Sequence, residues 1–271
     1  MTTRRRLLEG ALGTAFAAGI PQRGPSAQDM MRHVDLDSPR MVKAELTREQ
    51  VAAMAAEAVA RNGRVDLHDR SLNGLDLSGL DLAAADLRWA RLNRATLKGT
   101  RLAGAWLDLA WALEADFSQA DLTEAGLFQA QLLRAKLDGA RLDRARIAAG
   151  FDNASLRGAS LRAADGSADM RNQSMGLMRA SFRGAVLEAA DLTDARLARA
   201  DFAFAKLGKA RLDGADLTRA DLGGADLTGA SIIGADFTGA DLTDTILRKL
   251  VGKETIKGLD AARNADRAVF D

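Results

Sequence analysis

The sequence predicts an all-β solenoid, a four-sided parallel β-helix of about eight coils, and three observations predict it. A large apolar residue recurs at every fifth position over most of the chain. A small residue recurs two places before it. All three prolines, Pro21, Pro25 and Pro39, precede the periodic region.

The period is the strongest of the three. From Val65 the chain reads V-D-L-H-D, R-S-L-N-G, L-D-L-S-G, L-D-L-A-A, A-D-L-R-W, A-R-L-N-R, A-T-L-K-G. The central Leu or Phe of each pentad is here called the anchor. Anchors fall at every fifth residue from Leu67 to Ile147, 17 pentads with Ala112 the one weak member. After a one-residue slip come Phe151, Leu156 and Leu161, and 14 more pentads run from Phe182 to Leu247. The residue two before the anchor is Ala at 12 of 13 positions from Ala85 to Ala145, and at 13 of 14 from Ala180 to Thr245. Five matches neither a helix nor a strand period. The same two positions face inward every time only if the backbone turns once per pentad. Four flat sides of five residues do this, with the anchor on the axis and the alanine at the tight bend. The other three positions, rich in Asp, Arg, Thr, Lys and Gly, face water. A proline inside such a coil would delete a bond to the next coil, which is why none occurs there.

Repeats such as A-D-L-T-R, A-D-L-G-G, A-D-L-T-G and A-D-F-T-G (residues 215–239) resemble the pentapeptide-repeat family over about two-thirds of the chain. The resemblance implies a right-handed coil. It names no function, because one fold hosts many.

The ends of a solenoid need closing. Thr47-Arg48-Glu49-Gln50 reads as a capping box that starts a helix over 47–63, with Val51, Met54, Ala55 and Ala58 on one face and Gly63 as its stop. The solenoid proper is expected over 64–247, and 248–271 as a C-terminal cap. That cap should hold a short helix from near Asp260 burying Leu259, Ala262, Ala265 and Val269, or a homodimer contact. Residues 1–27 combine Arg4-Arg5-Arg6, a Gly/Ala-rich apolar stretch and a small-residue exit. This resembles a twin-arginine signal and predicts a periplasmic or exported protein; the alternative is a disordered cytoplasmic tail. Residues 28–46 read as a linker. No apolar run approaches the ~20 residues of a membrane span.

Little in the residues suggests chemistry. Cysteine is absent, the two histidines (His33, His68) stand apart, and no metal-ligand spacing or Ser-His-Asp set appears. The many Asp residues before anchors face water, where pKa values are hard to tune. A formal charge of +1 gives no overall attraction for nucleic acid. The chain is therefore expected to be no enzyme, with no cofactor, no metal and no direct nucleic-acid contact, binding an unidentified protein partner. Two regions are candidates for that contact. Stacking the coils puts Trp89, Trp106, Leu109 and Phe128 on one side, with Trp111 around the corner; exposed clustered aromatics mark partner surfaces. The second is the lapse in the repeat at 162–179, an irregular loop holding Met170, Met175 and Met178, since Met-rich surfaces adapt to partners. The resemblance to the pentapeptide-repeat family implies a competing reading, since some of its members mimic DNA with an acidic rod: the acidic stretch 213–244 as a DNA mimic that modulates DNA gyrase or a related topoisomerase in the cytoplasm.

Overall fold

The computed structural model describes residues 35, 37–168 and 178–271, and within them the pentads wind into a parallel β-helix. The candidate signal (1–27), His33, Met170 and Met175 lie outside the described residues. The residue before each anchor bridges its counterpart one turn on. A first column runs Asp66, Asp86, Trp106, Gly126, Arg146; a second starts at Ser71, a third at Asp76 and a fourth at Asp81. Partners lie 20 residues apart, so each turn spans four pentads.

The anchors fill the axis. Leu67, Leu87, Phe117, Leu142 and Phe202 are fully buried, as are alanines such as Ala85 and Ala185. The coil spacing suits aromatic stacking: Phe151, Phe182 and Phe202 lie in successive turns of the second column with ring centroids 5.0 and 4.9 Å apart, interplanar angles 10° and 13°. The bend does not sit at the alanine. It sits two positions after the anchor, where the chain takes left-handed φ pentad after pentad, at Gly74 (68°), Trp89 (63°) and Phe204 (61°) among many. The next alanine closes each bend by donating its N–H to the anchor carbonyl, as Ala90 does to Leu87 at 3.0 Å. Two alanine sites hold threonine, and both hydroxyls reach carbonyls of the preceding coil: Thr100 to Leu77 (2.9 Å) and Thr245 to Leu222 (2.8 Å). A buried hydroxyl is tolerated there because it is bonded.

The regular spacing of the bridges is interrupted twice among the described residues. The slip shortens one turn, so Gln131 bridges Gly150 and Arg146 bridges Asp165. Regular bridging continues to Asp165 and resumes at Ser181, which narrows the lapse predicted over 162–179. Gly166 stands where an anchor belongs. A Cβ there would meet the Ala180 Cβ at 2.6 Å and Ile147 and Leu197 at 3.2 Å, so these neighbours close the axis over it.

Both ends differ from expectation in detail. Residues Pro39–Val42 form a one-turn helix, α1, and Arg48–Ala60 form α2. The capping box is present: Gln50 N–H donates to the Thr47 hydroxyl and Thr47 N–H to the Gln50 side chain. Val51 and Ala55 join the core, with Met54 and Ala58 packed against it. Asn62, not Gly63, takes the left-handed stop, at φ 50°. At the other end the expected helix is missing. Val251, Lys257, Arg263 and Val269 bridge the preceding coil at six-residue intervals, so the tail makes another turn with longer sides. Two 3-10 turns, Lys253–Thr255 and Ala265–Arg267, take up the extra residue on two of those sides, and left-handed Asn264 (φ 55°) breaks any helix. Val269–Phe270 (β2) pairs in parallel with Ile246–Leu247 (β1). Leu259, Ala262 and Ala265 pack on the core as expected, whereas Val269 stays 38% exposed. With this turn the first column carries ten rungs among the described residues, more than about eight coils would give.

Residues 37–46 do not hang free. They lie as a strap across the second column: Glu45 N–H donates to the Ser71 carbonyl (2.8 Å), the Asn73 amide reaches the Arg40 carbonyl (3.2 Å), and the Asn93 amide reaches the Met41 carbonyl (3.2 Å). Met41 is buried in a small cluster with Leu113, Leu133 and Trp111, separate from the axial core.

Candidate interaction surface

The aspartates before the anchors have a job that periodicity alone did not reveal. In fourteen pentads the Asp side chain accepts the backbone N–H two residues on, from Asp66 to His68 through Asp241 to Thr243. This N–H opens the bend and has no backbone partner. Where another residue replaces that Asp, an Asp or Asn from the previous coil can take its place. Asn73 caps Asn93, Asn93 caps Leu113, Asp108 caps Phe128, Asp138 caps Arg157, Asp143 caps Arg162 and Asp213 caps Ile233. Hydrogen bonds to a carboxylate favour its ionised form. Asp236 is accordingly held below the usual carboxylate range, first by the Thr238 hydroxyl and then by its backbone N–H. These carboxylates are structural acceptors.

Asp152 is the exception. It is buried at the slip, its Oδ1 accepts from the Ser181 hydroxyl, and its Oδ2 has no partner. Burial pushes its carboxyl above the usual range, and Asp201 adds repulsion. Among the described residues no group of three or more His, Cys, Asp or Glu side chains could hold a metal ion, and no helix is long and apolar enough to cross a membrane.

The candidate aromatics have different fates. Trp106 lies between Asp86 and Gly126 in the first column, with the guanidiniums of Arg64 and Arg88 over its ring at 3.9 and 4.8 Å. Arg88 is itself fixed by Asp86 (Nε to Oδ1, 2.9 Å). Phe128 is half-buried, its N–H on Asp108 and Arg146 over its ring at 5.9 Å. Trp111 sits in the second column under the strap. Its side chain packs against the cluster of Met41, Leu113 and Leu133. Trp89 and Leu109 hold successive bend positions on the corner between first and second columns, both at φ 63°. Trp89 is 50% exposed. The next residue along that corner, Gln129, donates its side-chain amide to the sulfur of Met178. One corner thus carries Trp89, Leu109 and Gln129 with Met178, bringing together parts of two regions that the sequence showed separately. Sequence reasoning missed Phe204, at 56% the most exposed phenylalanine among the described residues, on the next corner with Arg183 over its ring at 5.4 Å. The bend position two after the anchor would have flagged it.

The pattern described as pentapeptide repeats matches this chain in eight copies, over residues 63–99, 113–147, 177–214 and 210–248. The chain belongs to the pentapeptide-repeat family. Its fold is therefore the right-handed β-helix of pentapeptide-repeat proteins, which generally act as structural or interaction modules. It is similar to the solved structure of HetL, a pentapeptide repeat protein involved in heterocyst differentiation regulation from the cyanobacterium Nostoc. The two are 31% identical, covering 79% of this chain and 92% of that one, with a TM-score of 0.53. QnrB1, a plasmid-mediated fluoroquinolone resistance protein, is 16% identical over 76% of this chain and 91% of its own, TM-score 0.37. A pentapeptide repeat protein of the Arabidopsis thaliana thylakoid lumen is 30% identical over 49% of this chain and 65% of its own, TM-score 0.15. No curated protein matches. The matched spans omit 100–112, the pentapeptide repeats that carry Trp106, Leu109 and Trp111, although these make the same bridges as their neighbours.

Proposed function

We propose that this pentapeptide-repeat protein is a non-catalytic interaction module that binds a protein partner along the corner bearing Trp89, Leu109 and Met178, with Trp106, Trp111 and Phe128 beside it. The rod is four-sided, closed by α2 at one end and by the six-residue-sided turn at the other. The observation that carries the reading is Trp89. It is half-exposed in a left-handed backbone conformation that favours glycine, and Leu109 repeats that disfavoured choice one coil on. Left-handed bends recur at non-glycine residues along the whole rod, so it is the exposed apolar surface that marks this corner. The arginine-rich start of the chain supports export through a twin-arginine-like signal, which would place the partner outside the cytoplasm. Trp89→Ser and Leu109→Ser in one chain test the surface by quantitative co-purification: the partner recovered with the unmodified protein should be lost. Undiminished recovery would overturn the assignment.

The reading as a DNA mimic is less well supported. Within 213–244, Asp213 is paired with Arg211, Asp241 with Arg263 and Asp244 with Arg267, three of the seven aspartates of the stretch. Part of that charge is therefore neutralised in place. A supercoiling assay with gyrase showing inhibition or protection would revive it.

A further inference from the structure

A cleft between the strap and the first coil holds more cations than its carboxylates pair. Its walls come from 39–45 and 66–71, Arg91 of the next coil completes it, and the space enclosed is about 670 Å³. That is the size of a small-molecule site, with a mostly polar lining. The strap wall is fixed. The Ser71 hydroxyl donates to the Lys43 carbonyl, and Ser71 N–H donates to the Glu45 carboxylate at 3.3 Å. Arg91 is only 6% exposed, and its guanidinium donates to the Asp69 carboxylate (2.6 Å), the Asp69 carbonyl (2.8 Å) and Glu45 (3.4 Å). Asp66 accepts the His68 N–H of its own bend at 3.1 Å. All three carboxylates of the cleft therefore have partners. Its cations are less well served. Among the described residues, neither Lys43 nor Arg70 makes an ion pair or a side-chain hydrogen bond, and the one ion pair of Arg40, to Asp69, is 3.8 Å long.

We propose that this cleft binds a small phosphate monoester, held between Lys43 of the strap and Arg70 of the coil. Two cations without partners, one from each wall, call for a ligand with two negative charges. A monocarboxylate would leave one of them unpaired. The residue types also suit phosphate, since the arginine fork takes two oxygens at once and lysine supplies a point charge. Arg40, Lys43, Arg70 and Arg91 against Glu45, Asp66 and Asp69 leave the lining one charge positive, which favours an anion. A phosphate group fills only part of the volume, so a modest organic group fits beside Arg40 and His68. The site uses none of the residues of the proposed partner corner, and neither reading depends on the other.

His68 lines the cleft and His33 is the only other histidine, so proton NMR of the full chain offers two imidazole signals, assigned with His68→Gln. The chain is titrated with glycerol phosphate, inorganic phosphate and acetate at one ionic strength, above about pH 7, where the phosphates are dianionic. Calorimetry with the same probes reads binding without relying on His68. Glycerol phosphate should bind saturably and shift the His68 signal, more tightly than inorganic phosphate and far more tightly than acetate. Lys43→Gln with Arg70→Gln should weaken it at least about tenfold, as loss of two charge-assisted contacts requires. Both residues are exposed and unpaired, so the fold should tolerate the change. Lys209→Gln with Arg219→Gln, an equal loss of charge on exposed residues far along the rod, should leave binding as it was. Absence of both binding heat and a saturable shift would overturn the assignment. So would binding undiminished in the Lys43 and Arg70 variant, or acetate or inorganic phosphate binding as tightly as the ester.

Discussion

Trp89 sits at φ 63°, where a side chain with a Cβ costs about 1–2 kcal/mol. Trp89→Gly should therefore hold or raise stability, by up to about 1 kcal/mol, while removing partner binding. Urea titration checks this, and a loss above ~1 kcal/mol would make Trp89 a packing residue. Asp236→Ala removes the acceptor for Thr238 N–H and should destabilise by about 1 kcal/mol by the same measurement. Asp152 gives a pH signature of opposite sign to the capping aspartates. Its folded pKa is raised by burial, so the folded state holds the proton more tightly than the unfolded chain. Below the unfolded value of about 3.9 the group is protonated in both states and adds no penalty. As pH rises through that value towards the raised folded one, stability is lost. Asp152→Asn should remove that loss, so its stability relative to the unmodified chain should improve as pH rises above about 4 in thermal melts. Parallel profiles would contradict the account. None of this was legible beforehand: the sequence shows Asp before an anchor, but the bend that needs its oxygen lies two residues on, and Asp152 is buried against Ser181, 29 residues further along the chain.

At the scale of elements, the period of five was enough to find the coils because anchors and alanines are selected by one steric requirement, room on a narrow axis. It failed where that requirement is met differently. Gly166 leaves its place to be closed by Ile147, Leu197 and Ala180, so no anchor letter marks the rung. Gly166→Ala should destabilise by about 1–3 kcal/mol through overpacking against the Ala180 Cβ at 2.6 Å. The last turn runs at six residues per side and reads as a helix because Leu259, Ala262 and Ala265 happen to fit helical spacing. Asn264 decides the matter: its backbone is left-handed and its amide reaches Asp241 (3.0 Å) and Thr243 (2.8 Å). The strap was invisible for a different reason. Its contacts are made by Asn73, Asn93 and Met41 across 30 to 52 residues of sequence, with no periodic trace.

On the scale of the whole molecule, a rod of ten rungs is about 43 Å long at β-sheet spacing. Its interior is a dry column of leucine and phenylalanine, and its carboxylates are largely committed to bends and arginines. What remains for recognition is the outside, and on it one corner carries the half-exposed Trp89 with the half-buried Leu109 and Met178 beside it. Site-specific photo-cross-linking inside the producing cell tests that claim most directly. A photoreactive residue at Trp89 should yield a discrete adduct with a partner protein, and the same residue at Ile233, comparably exposed at 47% on the fourth column, should not. Adducts from Ile233 with none from Trp89 would contradict the account.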